Sequence, residues 1–157
     1  MPVDAATFRA VLGRFASGVT ILTLRDGDRD AGMTVSAFCS ISLEPPLVLA
    51  SISEVAEMRR LVERVDVIGV SILSQEQEAI SRRFAEYDGD RFEGIGLVRG
   101  TTGVALIDGA IAHAECRIVQ RHVAGDHLIV IAEVDNANTF DERPLLYYRG
   151  GYAGMER

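Results

Sequence analysis

The chain contains no lysine, and all sixteen of its basic residues are arginine. The absence of lysine excludes a Schiff-base lysine and the phosphate-binding lysine of a P-loop. Any phosphate held by a charged side chain must therefore be held by arginine, whose planar guanidinium can bind a phosphate through two hydrogen bonds.

The chain has only two cysteines, no long apolar run and no net positive charge. The two cysteines, Cys39 and Cys116, form neither a disulfide framework nor a CxxC pair. No apolar run approaches the roughly 18 residues of a membrane span and no signal peptide is visible, so we expect a cytoplasmic protein without membrane contact. The net charge of −7 disfavours a nucleic-acid partner.

The 157 residues, 48% of them hydrophobic, suit one domain over residues 1–157 with a substantial core. Most of the chain consists of β-rich segments separated by turn signals. Apolar residues recur at helical spacing in only three segments. These follow Asp4, Ser53 and a Ser74–Gln77 capping box. Because strands and helices do not alternate regularly, the pattern predicts a mainly β antiparallel barrel with a few peripheral helices.

The most informative stretch runs from Gly32 to Pro46. In an extended chain, successive side chains point to opposite faces, so Thr34, Ser36, Ser40 and Ser42 would share one face. Short hydroxyls beside exposed backbone N–H groups suit an anion such as a phosphate. The same alternation is also typical of an ordinary half-buried strand, and the stretch alone leaves both interpretations open.

Two apparent motifs fail on their spacing. The series Asp26, Asp28 and Asp30 begins like a calcium loop, but the sixth position is Ala31 and the twelfth is Ala37, so residues 25–30 predict a hairpin turn between two strands instead. The glycines between Gly94 and Gly100 lack the spacing, the preceding strand and the following helix of a dinucleotide fingerprint.

No metal site is predicted either. The candidate ligands do not have the spacing of a zinc site, and in an extended strand the first two would point to opposite faces: His113, Cys116, His122 and His127.

Two further motifs each allow two interpretations. His127 follows a Gly125–Asp126 turn, where its ring could face a cavity or form a structural hydrogen bond to a carbonyl. The pair Arg82–Arg83 ends a predicted helix, where it could interact with the helix dipole or bind a phosphate.

Taken together, these features resemble the flavin reductase-like family, in its short-chain flavin:NAD(P)H oxidoreductase branch. The resemblance covers nearly the whole chain, and its landmarks appear in family order: Phe15–Thr20, Gly32–Phe38, Ser40–Ser42, Pro45–Pro46, Ser51–Ser53, Arg83–Ala85, Glu115–Cys116, Gly125–His127 and Tyr148–Tyr152. One departure is that relatives often have Asn or Asp, followed by Arg or Lys, where this chain has Ser53 and Glu54.

The resemblance implies a Greek-key split β-barrel that binds FMN or FAD and works as a homodimer, with the flavin near the subunit interface. Carried over by position, one segment would line the flavin ring and ribityl chain, namely Met33, Thr34, Val35, Ser36 and Ala37. A second would contact the ring and phosphate, namely Ala50, Ser51, Ile52 and Ser53. Arg83 and Phe84 would contact phosphate and ring. His127 would lie on the nicotinamide side as the catalytic residue, with Arg149 and Tyr152 as further contributors.

The activity implied is hydride transfer from NADH or NADPH to N5 of the flavin, with the reduced flavin supplied to a separate monooxygenase. In such a reaction the cofactors carry the chemistry and the protein supplies alignment. One alternative is a non-catalytic flavin-binding or electron-transfer protein on the same barrel. Another is a dimeric barrel that binds a different small ligand.

Overall fold

A computed structural model describes residues 1–156 and consists mainly of β-strands. The helices are α1 (Ala5–Leu12), α2 (Glu57–Leu61) and α3 (Glu78–Glu86). The strands are β1 (Ser17–Gly18), β2 (Thr20–Asp26), β3 (Arg29–Val35), β4 (Phe38–Leu43), β5 (Pro46–Ser53), β6 (Val67–Ile72), β7 (Leu97–Arg99), β8 (Ala105–Ile107), β9 (Ala112–Ala124), β10 (His127–Thr139), β11 (Leu145–Tyr148) and β12 (Gly151–Gly154). Within the described residues, no helix combines the length and apolar character needed to cross a membrane.

The main sheet has seven strands in the order β3-β2-β6-β9-β10-β5-β4, all antiparallel to their neighbours. Its two edge strands, β3 and β4, are consecutive in the chain and are joined only by Ser36 and Ala37. This short link brings one end of each edge strand together at a seam, and a 3.0 Å hydrogen bond from Ser51 N–H to the Ala37 carbonyl joins β5 to the seam. The result is the expected split β-barrel, accompanied by the small sheets β1-β11-β12 and β7-β8.

Two apolar cores lie on the two sides of the main sheet's strands. The larger is closed by α2 and contains residues of β2, β5, β6, β9 and β10. The smaller lies under α3 and contains Val19, Ile21, Leu73, Phe84, Ile107 and Leu145. Side chains of β2 contribute to both cores, because successive residues of a strand point to opposite faces. Ile21 belongs to the smaller core, and Leu22 and Leu24 belong to the larger one. The central strands β2 and β6 thus bury both faces over much of their length.

Several local predictions are confirmed. The Asp4 side chain accepts a 2.7 Å hydrogen bond from Thr7 N–H and begins α1. The turn at Gly27 joins β2 and β3 as an antiparallel hairpin, with this glycine at φ 66°, a conformation that favours glycine. The antiparallel pairing of β9 with β10 places Gly125 and Asp126 in a tight turn, as the dipeptide indicates.

Two predictions at the barrel seam are wrong. The stretch from Met33 to Ser42 is not one extended strand, because the backbone turns at Ser36–Ala37, between β3 and β4. The hydroxyls therefore do not form one continuous row. Ser53 does not cap a helix either, since it ends β5, and α2 begins after Ala56 without a side-chain cap.

One carboxylate holds the β2–β3 hairpin to the β7–β8 hairpin. Asp30 accepts hydrogen bonds from Arg25 at 3.0 Å and from two nitrogens of Arg99 at 2.7 and 2.5 Å. The hydrogen bond from Arg99 lowers the pKa of Asp30 below its ordinary value of 3.8, against a smaller opposing effect of burial. The charged form of Asp30 is therefore stabilised by folding.

We expect Asp30→Asn to destabilise the protein by about 1–2 kcal/mol at pH 7, because a hydrogen-bonded network of charges is lost. A lowered pKa contributes stability that is present above the unfolded-state pKa and is lost as pH falls through the folded-state pKa. Urea unfolding should therefore show the full difference from wild type at pH 7 and a smaller one below pH 3.8. A difference that stays constant across this range would contradict the assignment.

Candidate functional site

The ends of β5 and β10 bring together residues that the sequence had assigned to different ligands. His127 pairs with Ser53 and Ile129 pairs with Ser51, in antiparallel register. The N–H of Glu54 also donates a 2.9 Å hydrogen bond to the Asp126 carbonyl, which fixes the β9–β10 turn against the end of β5. The expected nicotinamide-side residue thus lies beside the expected phosphate-side strand end.

The ring of His127 is oriented by its sequence neighbour. Its Nδ1 lies 2.7 Å from Asp126 Oδ1, and because a carboxylate can only accept, Nδ1 carries the proton. This hydrogen bond holds the pKa of Asp126 below its ordinary value. Nε2 remains as a hydrogen-bond acceptor on a side chain that is 43% exposed, so it can meet a ligand.

Small hydroxyl side chains line the adjoining seam. Ser36, Ser51 and Ser53 make no side-chain hydrogen bond within residues 1–156, and none is a fully buried, unsatisfied group. Ser36 and Ala37 are exposed where β3 passes into β4. Free hydroxyls beside small side chains suit a flat, oxygen-rich ligand such as a flavin, because they can donate hydrogen bonds and allow the ring to approach the backbone.

Not every predicted site residue offers its side chain to this surface. Val35, Ala50 and Ile52 are buried in the barrel core. They can contribute backbone groups and shape to the site. Met33 and Thr34 are partly exposed on β3.

A second set of predicted residues is joined through Ser81 of α3. The Thr34 hydroxyl donates to the Ser81 carbonyl at 2.6 Å, and the Ser81 hydroxyl lies 2.8 Å from the Tyr152 hydroxyl. The Arg82 guanidinium stacks on the Tyr152 ring, 4.9 Å from its centroid. Sequence reasoning missed Ser81, because a lone serine inside a helix carries no signal and its role depends on two distant elements.

Arg83 and Phe84 lie at the end of α3 and contact the loop that follows it. Arg83 donates to the carbonyls of Arg91 and Asp90, each at 2.8 Å, and its guanidinium covers the Tyr87 ring. Phe84 is fully buried and packs edge-on against Phe92, with ring centroids 5.0 Å apart. In this structure Arg83 therefore fixes the loop after α3, and Phe84 packs beneath that loop in the smaller core.

That loop encloses a cleft of about 930 Å³, a size typical of small-molecule sites. Its walls come from β3, from the link between β5 and α2, and from residues 84–92. Met33 and Thr34 line the cleft, and Val55 lines it two residues after Ser53. The cleft therefore adjoins both the ring-side and the phosphate-side segments, whereas His127 is not among its lining residues.

The two remaining predicted residues lie in and beside the turn between β11 and β12. Arg149 adopts a left-handed backbone with φ 51°, and its N–H donates a 2.9 Å hydrogen bond to the Gly13 carbonyl. Tyr152 follows on β12 and packs edge-on against Tyr147. The turn thus connects the end of α1 to the residues around Ser81.

Cys116 is a free thiol in the barrel core. Burial raises the pKa of the Cys116 thiol to about 12, so this thiol stays protonated. Within residues 1–156, no group of three or more His, Cys, Asp or Glu side chains is arranged to hold a metal ion.

Comparison with known proteins supplies the context for this geometry. Residues 12–156 match the flavin reductase like domain family. The chain is 37% identical over 155 residues to the reductase subunit HsaB of a flavin-dependent monooxygenase from Rhodococcus jostii, covering 98% of this chain and 80% of that protein. It is 41% identical over 153 residues to an NADH-dependent flavin reductase from a Rhodococcus species, covering 94% of this chain and 85% of that protein.

A solved structure shares the fold closely. The NADH:FAD oxidoreductase SgcE6 of Streptomyces globisporus, in complex with NAD and FAD fragments, superposes with a TM-score of 0.92 at 36% identity. The alignment covers 96% of this chain and 92% of that one.

Proposed function

Since this chain belongs to the flavin reductase-like family and is an NAD(P)H:flavin oxidoreductase, we propose that its site lies where β3, β5 and β10 meet. The flavin is held by the segments 33–37 and 50–53, and the nicotinamide is positioned by His127. The observation that carries this proposal is the pairing of His127 with Ser53, which puts the two assigned regions at one end of the sheet.

The residues present fit a flavin. The hydroxyls of Ser36, Ser51 and Ser53 offer hydrogen-bond donors to its polar atoms, and Ala37 leaves room for a planar ring. A bound flavin would supply the hydride acceptor, at N5 of its ring. The protein's own contribution is alignment, because hydride transfer needs the two reacting atoms within about 3–3.5 Å of each other.

His127 aligns the nicotinamide by hydrogen bonding. Its Nε2 has a free lone pair and can accept from the N–H of the carboxamide group, while Asp126 fixes the ring through Nδ1. No proton needs to move to or from His127 in this role. The Ser81–Tyr152 hydrogen bond holds β12 against α3 and so supports the cleft wall from the other side.

The identities of the donor and the recipient come from the relatives. Those compared are an NADH-dependent flavin reductase, a reductase subunit of a flavin-dependent monooxygenase and an NADH:FAD oxidoreductase. We infer that this chain uses NADH, accepts FAD, and releases reduced flavin to a separate monooxygenase. A cytoplasmic location is consistent with the use of a reduced nicotinamide nucleotide.

We also infer that a second copy of the chain covers α1. This helix has no buried residue, and its apolar side chains Phe8, Val11 and Leu12 lie exposed together with Phe15. Exposed apolar patches of this kind mark interfaces. Sedimentation equilibrium should give the mass of two chains, and the mass of one chain would contradict the inference.

The proposed reaction is tested by following NADH oxidation with FAD, with FMN and without flavin. We expect oxidation that requires added flavin, and a melting temperature that rises with flavin concentration, because a ligand that binds only the folded state stabilises it. A rise in melting temperature without NADH oxidation would favour the flavin carrier. The absence of both effects would contradict the flavin site itself.

A further inference from the structure

A second cleft, of about 640 Å³, lies away from the proposed flavin site. It is bounded by the β7–β8 hairpin, the start of β9, the end of β10 and residues 74–76, and it shares no lining residue with the larger cleft. None of the residues assigned above to flavin or nicotinamide lines it. Its volume falls within the range of small-molecule sites.

The cleft contains a buried histidine with one nitrogen free. His113 is only 7% exposed, and its Nε2 lies 2.6 Å from the Ile107 carbonyl. Because a carbonyl can only accept, Nε2 carries the proton and Nδ1 is a hydrogen-bond acceptor. Nδ1 has no partner within residues 1–156, yet no fully buried polar side-chain atom there is unsatisfied, so Nδ1 retains access to the cleft.

Ser74 supplies a second polar group, on a buried side chain, that has no hydrogen-bond partner within residues 1–156. It is 5% exposed and lines the cleft, and its hydroxyl has no hydrogen-bond partner among the described residues. Asn138 stands opposite His113 in the β9–β10 register and adds an exposed amide. Three polar side chains therefore converge on one cavity without satisfying one another.

The charge of the cleft is negative. Glu76, Asp108 and Glu142 line it and form no ion pair within residues 1–156. The only arginine in the lining, Arg99, already binds Asp30 through two nitrogens. Glu115 is occupied by hydrogen bonds from Thr102 and Thr101, so it adds negative charge without offering a free binding group.

An aromatic ring forms part of the wall. Phe140 is half exposed and packs edge-on against His113, with ring centroids 5.3 Å apart. Val98, Leu106 and Ala110 supply apolar surface nearby. A flat apolar body could therefore pack here, and an ammonium group would be attracted both to the carboxylates and to the face of Phe140.

We propose that this cleft binds a small aromatic amine. The amine N–H groups donate to His113 Nδ1 and to the carboxylates at the rim, and the ring packs against Phe140. Anions of the same size are excluded, because the cleft offers them no free positive charge.

Isothermal titration calorimetry with phenethylamine and with phenylacetate tests the proposal, since the two probes have the same ring and opposite charge. We expect saturable binding of phenethylamine, and binding of phenylacetate at least tenfold weaker. Saturating FAD should leave the phenethylamine affinity unchanged, because the two sites share no residue. Binding of phenethylamine is measured independently of reductase activity, so the proposed amine site can be disproved while the proposed function holds.

Two variants locate the bound probe. His113→Phe removes the acceptor and should abolish phenethylamine binding, whereas Glu142→Gln removes a charge from an exposed position and should weaken it several-fold. Glu142→Gln does not disturb the core, so it keeps the test valid if the buried substitution prevents folding. Equal binding of the two probes, no binding of phenethylamine, competition by FAD, or an affinity unchanged in Glu142→Gln would each overturn the proposal.

Discussion

Replacing His127 by alanine should lower kcat/KM for NADH about 100-fold while leaving flavin affinity nearly unchanged. The reason is that hydride transfer depends steeply on alignment, and a misplacement of about 1 Å costs a factor of that order. His127 lies at the nicotinamide side of the proposed site and is held by Asp126, so its removal affects the orientation of the donor. Steady-state kinetics and a separate flavin titration measure the two effects.

His122→Ala is the matched control for this experiment. His122 lies on β9 of the same hairpin and is exposed, and its side chain's one hydrogen bond within residues 1–156 is to Gln120, at 2.8 Å. Its loss should leave both kcat/KM and flavin affinity at the wild-type values. Unchanged kinetics in His127→Ala would favour the non-catalytic flavin carrier, and equal losses in the two variants would indicate a general disturbance of the hairpin.

Replacing Phe84 by alanine should destabilise the protein by about 3–5 kcal/mol, the cost typical of removing a buried phenylalanine. The side chain is fully buried in the smaller core. It also packs so closely on β3 that a Cβ atom at Gly32 would lie 2.9 Å from the ring. The cavity left by alanine would therefore loosen both the core and the β3 wall of the larger cleft. Urea unfolding measures the loss.

The variant Phe84→Leu distinguishes two roles for Phe84, namely supporting the wall of the larger cleft and contacting the flavin directly. A leucine fills most of the cavity and should cost far less stability, with flavin affinity close to that of wild type. If Phe84 contacted the flavin ring, as the sequence resemblance implies, this variant would bind flavin much more weakly at nearly unchanged stability. That result would contradict the supporting role given to Phe84 here.

Much of the fold was predictable because its signals are local. The cap at Asp4, the turn at Gly27 and the turn at Gly125–Asp126 each depend on a few neighbouring residues, and all three are found where the sequence placed them. The break at Ser36–Ala37 was not predictable in this way. The alternation of side chains continues through it, whereas in the structure the chain passes there from one edge strand of the main sheet to the other.

The site residues likewise divide into those with a local sequence signal and those whose contacts depend on tertiary packing. His127 carries a local signal, and the structure adds what no pattern contains, namely its pairing with Ser53. Arg83 and Phe84 were assigned to the flavin by position alone. The contacts that they make within the chain, to the carbonyls of Asp90 and Arg91 and to the ring of Phe92, lie on a loop whose path depends on tertiary packing. The position of Ser81 between Thr34 and Tyr152 is tertiary for the same reason.

Anaerobic stopped-flow mixing of the flavin-loaded protein with NADH tests the central claim most directly. We predict that the absorbance of oxidised flavin disappears at a rate that saturates with NADH concentration, and that this rate falls about 100-fold in His127→Ala but not in His122→Ala. Flavin that stays oxidised in the wild-type protein would contradict the account, and so would flavin reduced equally fast in wild type and His127→Ala.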